Sequence, residues 1–212
     1  MKTKLDEFQF KNPRFLLMYS ALQFGPEEMA KPDGSLSLPY LAGAIREAGY
    51  DVKILDVSVG DKDEPLEDSF FNTKVLPSGL IRCGMTPEKI VEQMADFDVI
   101  GISSIFTTQT TMVLDLIRLA KRTDPSKLVI AGGVNARNMR DRFFKAGVDL
   151  IVLSEAERII VQIAERCAAS EAFPRCPASP SSTRPARKSS TAAPRRSRTW
   201  TSCRCPPGTC CP

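Results

Sequence analysis

Five short apolar runs, each followed by a stretch of helical periodicity, set the strongest limit on what this chain can fold into. The runs fall at residues 15–19, 52–57, 99–104, 128–131 and 150–153. They are nearly continuous in Phe, Leu, Ile, Val and Met rather than alternating, so they suit strands covered on both faces. Between them, Leu38, Leu41, Ala42, Ile45 and Ala48 recur at helical spacing and stop at Gly49. Thr86 and Pro87 open a second helix as N-cap and first residue, with Ile90, Val91 and Met94 on its apolar face. Further helices are expected over 110–122, 138–146 (closed by Gly147) and 156–168. Residues 20–37 and 60–84 read as loops, the latter with a short insertion.

Strands and helices in alternation imply a parallel sheet layered between helices. Five β/α units between residues 13 and 167 predict an α/β, flavodoxin-like doubly wound sheet in the order 2-1-3-4-5. Residues 1–12 form an N-terminal extension to it. In such sheets ligands bind beyond the carboxyl ends of the strands, near the point where strand order reverses.

The chain contains no histidine. This excludes Ser-His-Asp and Cys-His nucleophiles, His-ligated zinc and a protein imidazole on a corrin or haem metal. No apolar run approaches the ~20 residues that span a bilayer, and residues 1–7 carry acids without the apolar core of a secretory signal. A cytoplasmic address with no membrane partner is expected.

Composition changes sharply after Cys167. Residues 168–212 hold eight Arg and Lys against Glu171 alone, eight of the 16 prolines and five of the seven cysteines, and no Leu, Ile, Val or Met. Such a segment cannot bury enough apolar area to offset its ordering entropy, and it is expected to be disordered. Three readings compete: a basic arm for nucleic acid, a Cys-rich metal knuckle, or the product of a shifted reading frame. The third is favoured, and nucleic acid is not the expected partner. Residues 199–212 can be encoded so that another frame reads Leu-Asp-Glu-Leu-Pro-Leu-Pro-Ala-Trp-Asp-Leu-Leu-Pro, which is far more protein-like.

The candidate site is the set of strand ends. After the first run come Asp33, Gly34, Ser35 and Leu36; after the third, Ser103, Ser104, Phe106, Thr107 and Thr108. After the fourth come Gly132, Gly133, Val134 and Asn135; after the fifth, Ser154, Glu155 and Glu157. Hydroxyls, glycines that allow close backbone approach and few charges suit a large neutral ligand. No phosphate loop of either glycine-rich type is present. Each feature also has an ordinary reading. Gly132-Gly133 can be a tight turn, Ser103 and Ser104 can end a strand, and Glu155 and Glu157 can be solvated first-turn acids. Met112 and Met139 suit core filling, and Cys83 has no imidazole to activate it.

Taken in order, these segments resemble a known family. The pattern is Pro32-Asp33-Gly34-Ser35-Leu36, Leu38-Pro39-Tyr40-Leu41-Ala42-Gly43 and Ala48-Gly49-Tyr50 with Val52. It continues with Asp98, Ile100-Gly101-Ile102-Ser103-Ser104, Gly132-Gly133, Gly147-Val148-Asp149, and Ser154-Glu155 with Glu157. It is similar to the N-terminal cobalamin-binding domain of the B12-dependent radical S-adenosylmethionine enzymes, over residues 13–166. The shifted-frame peptide is similar to the linker before their radical domain. The chain departs from the family at Val134-Asn135, where Pro-His is frequent, and at Ser154 and Ala156, where Gly is usual.

The resemblance implies a corrinoid cofactor, cobalamin, lying over the strand ends with its nucleotide tail between strands one and three. Without histidine it would bind base-off. The [4Fe–4S] cluster and S-adenosylmethionine would belong to a radical domain that this chain lacks, since no Cys-x3-Cys-x2-Cys run occurs. As printed, the chain is then a catalytically incomplete fragment with no catalytic residue and no metal ligand of its own. A flavin- or nucleotide-binding domain of the same fold is the alternative. Bulky residues at Ser104 or Gly132 are expected to abolish corrin retention while leaving the fold intact.

Overall fold

A computed structural model describes residues 4–32 and 34–168, all within one compact unit. Five parallel strands form its centre: β1 (Phe15–Tyr19), β3 (Val52–Asp56), β6 (Val99–Ser103), β7 (Leu128–Gly132) and β8 (Leu150–Ile151). Their order is β3-β1-β6-β7-β8, which is the expected 2-1-3-4-5 arrangement. The pairing is in simple register, with Leu17 beside Ile54 and Gly101, and Gly101 beside Ile130.

Because successive side chains of a strand point to opposite faces, each apolar run feeds two cores. Phe15, Leu17, Tyr19, Val99, Leu128 and Ile130 pack under α1 (Ser37–Glu47) and α6 (Glu157–Cys167). Leu16, Met18, Ile100, Ile102, Val129 and Ala131 pack under α2 (Pro87–Met94), α3 (Thr110–Thr123) and α5 (Arg140–Ala146). Every residue of β1 and β6 is buried, so no side chain of these strands below the carboxyl edge is free for chemistry.

The caps follow the sequence. Thr86 accepts a hydrogen bond from Lys89 N, with Pro87 at the first position of α2. Gly147 takes a left-handed conformation after α5, satisfying the last carbonyls of that helix. The helix expected over 138–146 is α5, which starts at Arg140, and a further short helix, α4 (Val134–Asn138), precedes it, with Met139 between the two.

The two loops require correction. Segments 20–37 and 60–84 contribute β2 (Leu22–Phe24), β4 (Thr73–Val75) and β5 (Ile81–Cys83), an antiparallel sheet in the order β2-β5-β4. Three-residue strands are too short to display a period, so pairing defines them: β4 with β5 across a five-residue connection, and β2 with β5 across about sixty residues. Within the described part of the N-terminal extension two aromatic residues reach α6. Phe10 N donates to Cys167 O at 2.7 Å, and Phe8 and Phe10 pack against the α6 core. The expected tail, 168–212, lies outside the described residues beyond Ala168. No helix among the described residues is long and apolar enough to cross a membrane.

A buried ion pair ties the lower part of the sheet to α3. Asp149 is buried; its Oδ2 accepts from Val129 N at 2.8 Å and pairs with Lys121 Nζ at 2.6 Å. Removing one partner of such a pair strands a buried charge. Lys121→Met is therefore expected to lower unfolding stability by about 3 kcal/mol in urea titrations. The thiol of Cys167 is pushed up to about 11 by burial. The folded state thus holds this proton more tightly than the unfolded chain, and stability falls as pH rises from about 9 towards 11. Denaturation across that window should show a shallower decline for Cys167→Ala than for the unaltered protein.

Candidate functional site

Two rows of residues cross the sheet at its carboxyl edge on the α1/α6 face. The outer row is Tyr19, Ser103 and Gly132, and the row beneath is Leu17, Gly101 and Ile130. Glycine therefore occupies two adjoining positions on this face. A Cβ at Gly101 would lie 2.7 Å from Leu17 Cδ2, so that side chain leans across it, whereas a Cβ at Gly132 would meet nothing within 4 Å. The result is a slot of about 210 Å3. Leu38 and Leu41 of α1 and Ile160 of α6 wall it, and Gly133, Ser154, Glu155 and Glu157 close its outer end.

The loops around this slot are held by hydrogen bonds. Ser35 Oγ bonds to Ser103 Oγ at 3.0 Å and to Ser37 Oγ at 2.7 Å, tying the loop after β1 to the end of β6. Ser104 N donates to Gly132 O at 2.8 Å, and Ser104 O accepts from Asn135 N at 3.2 Å. Asn135 Nδ2 donates to Ser104 Oγ at 2.8 Å and to Thr110 Oγ1 at 3.0 Å, and Thr110 Oγ1 donates to Thr107 O at 2.6 Å. One buried amide thus joins the loop after β6, the start of α3 and the start of α4. Its Oδ1 has no partner among the described residues. Gln23 and Gln109 exchange side-chain to backbone bonds at 2.8 and 3.1 Å, fixing the loop after β6 against β2.

The expected residues divide into three groups. Ser103, Gly132, Gly133, Ser154, Glu155 and Glu157 line the slot. Gly34, Ser35, Leu36, Phe106, Thr107, Thr108 and Val134 lie on the loops above it, all but the half-buried Ser35 exposed. Ser104 and Asn135 are buried and face the brace rather than the slot. Asp33 lies outside the described residues. The expectation that a bulky residue at Ser104 would spare the fold is therefore corrected: it would break the brace. The sequence reading missed Leu17, Gly101, Leu38, Leu41 and Ile160 as slot residues. Gly101 carried a signal, because glycine inside an apolar strand marks close approach of something else.

The rim is mixed: Leu36, Phe106, Val134 and Leu153 are exposed large hydrophobics on the loops around the slot, interspersed with the exposed Thr107, Thr108 and Glu155. No Lys or Arg lines the slot. Among the described residues no group of three or more Cys, Asp or Glu is placed to hold a metal ion.

Gly133 is the backbone hinge of the site. Its φ is +101°, and an added Cβ would sit 2.3 Å from Ser104 O. Gly133→Ala should therefore cost at least about 2 kcal/mol of stability. Gly132→Ala should stay within about 0.5 kcal/mol. Urea unfolding of the two variants checks the contrast.

Comparison with known proteins follows this geometry. Cytidylyl-2-hydroxyethylphosphonate methyltransferase of Streptomyces wedmorensis is 35% identical over 106 residues, which is 48% of this chain and 18% of that protein. The chain thus matches less than a fifth of that relative's length. Among solved structures, a putative pilus assembly-related protein of Burkholderia pseudomallei aligns with a TM-score of 0.43 at 16% identity, over 75% of this chain and 95% of its own. A CheY-like protein of Pseudomonas aeruginosa aligns at 0.45 and 11%, over 72% and 98%. Residues 34–164 match the B12-binding domain model, a span that contains the whole slot except Leu17. The chain belongs to the B12-binding domain family.

Proposed function

We propose that this domain holds cobalamin over the carboxyl ends of its parallel strands, base-off and with no protein imidazole on cobalt. In this reading it is the cofactor module of a methyltransferase of the B12-dependent radical S-adenosylmethionine type. The observation that carries the reading is a narrow slot with apolar walls that opens among the exposed side chains of Leu36, Phe106, Val134 and Leu153. A slot of 210 Å3 is smaller than the roughly 300–1,000 Å3 that encloses a whole ligand. It suits one moiety of a larger molecule whose body rests outside. In this reading the nucleotide tail enters the slot over Gly132, between Leu38 and Leu41 of α1 and Ile160 of α6, and the macrocycle rests against Leu36, Phe106 and Val134.

The donor set agrees with a ligand whose periphery is amide rather than phosphate-rich. Ser35, Ser37, Ser103 and Ser154 offer hydroxyls, the backbone at Gly132 and Gly133 is open to approach, and no cation lines the slot. Ser104 and Asn135 act as positioning residues that hold the two loops at a fixed separation. When bound, methylcobalamin supplies the transferable methyl group, and the protein supplies binding and orientation. The [4Fe–4S] cluster and S-adenosylmethionine are assigned to a further domain, because the chain has no Cys-x3-Cys-x2-Cys run. On this reading residues 168–212 come from a shifted frame, and the gene is expected to continue in another frame into that cysteine run.

The test is reconstitution with hydroxocobalamin followed by gel filtration and absorption spectroscopy. Retained corrin with a base-off spectrum is expected. Gly132→Leu puts a side chain into the slot from a position whose Cβ meets nothing within 4 Å, so it should reduce retention about tenfold or more with an unchanged circular dichroism spectrum. A colourless protein, or retention of flavin mononucleotide in its place, overturns the reading.

A further inference from the structure

We propose that the groove between the antiparallel sheet and helices α2 and α3 docks an acidic, leucine-rich segment of a partner polypeptide. This groove encloses about 710 Å3 on the face of the parallel sheet opposite the slot. It shares no residue with the slot, so the inference goes beyond the cobalamin reading and stands independently of it.

The floor is apolar, formed by Val57, Ile90, Met112 and Leu116, and the wall on the β4 side carries the exposed Val75. β4 pairs only with β5 and is an edge strand.

Charge identifies the occupant. Lys74, Arg82, Arg118 and Arg122 line the groove against a single acid, Asp115. That acid is already paired with Arg118 at 2.8 Å. Lys74 and Arg122 have no ion-pair partner among the described residues. Arg82 is half-buried, and its guanidinium donates to the carbonyls of Gly84, at 2.9 Å, and Met85, which carry no counter-charge. Three cations are thus left over an apolar floor, and the complement is a surface of carboxylates interleaved with aliphatic side chains. The chain's own residues 168–212 carry eight cations and one acid, the wrong sign for this role.

The groove's length favours a polypeptide. The α3 residues on its wall run from Met112 to Arg122. At a rise of 1.5 Å per residue this is about 15 Å, the length of some four or five residues of extended chain.

The experiment is fluorescence anisotropy at low ionic strength with a labelled peptide of five Leu-Asp repeats, against a Leu-Lys peptide of equal length. Saturable binding of the Leu-Asp peptide is expected, with the Leu-Lys peptide at least about tenfold weaker. The double substitution Lys74→Glu with Arg122→Glu, both on exposed side chains, should weaken the Leu-Asp peptide by at least about tenfold while leaving circular dichroism unchanged. No binding, equal binding of the two peptides, or indifference to the double substitution overturns the proposal. Competition by decanoate at the affinity of the peptide also overturns it, in favour of a small amphipathic acid.

Discussion

Parallel pairing of β1, β6 and β7, with both faces covered, is the constraint on which the rest of this molecule depends. A central strand in such a sheet spends every side chain on packing, and its backbone polar groups on its neighbours. Only where the strands stop can the chain present hydroxyls, backbone and exposed apolar groups together. Because all five strands run the same way, their ends meet along one edge. The location of the candidate site is thus a consequence of strand direction rather than of any one residue.

At that edge the site is made by subtraction and then held by a brace. Gly101 and Gly132 remove side chains from two adjoining positions, and Leu17 closes part of the space that Gly101 leaves. What remains is narrow enough to admit a flat group and apolar enough to favour it. Gly133, in a backbone conformation that other residues rarely adopt, lets the chain pass against Ser104. The Asn135 amide then joins three segments that would otherwise move separately. Asn135 stands where histidine is frequent in the family that the sequence resembles, and here the side chain at this position serves the interior.

The two faces of the sheet carry different surfaces. The α1/α6 side holds a slot lined by apolar and hydroxyl side chains with two acids, Glu155 and Glu157, and no cation. The α2/α3 side holds a larger groove in which basic side chains outnumber acids four to one. The two cavities share no lining residue, and the sheet lies between them.

The doubly wound sheet, its strand order and most caps were legible from the sequence, because apolar runs, Thr86-Pro87 and Gly147 act through local geometry and short-range sterics. The strand-end segments that surround the slot were legible for the same reason. The antiparallel sheet was not, since its strands are three residues long and Leu22 meets Cys83 only through pairing across about sixty residues of chain. Nor was the division of labour among the expected site residues. Ser103 and Ser104 are adjacent hydroxyls of identical chemistry, yet strand alternation sends one towards the slot and the other into the brace. The sequence alone determined which edge of the sheet is open to a ligand, because strand direction follows from β/α alternation. Tertiary structure alone decided which side chains reach that ligand, because burial and partner choice depend on residues distant along the chain.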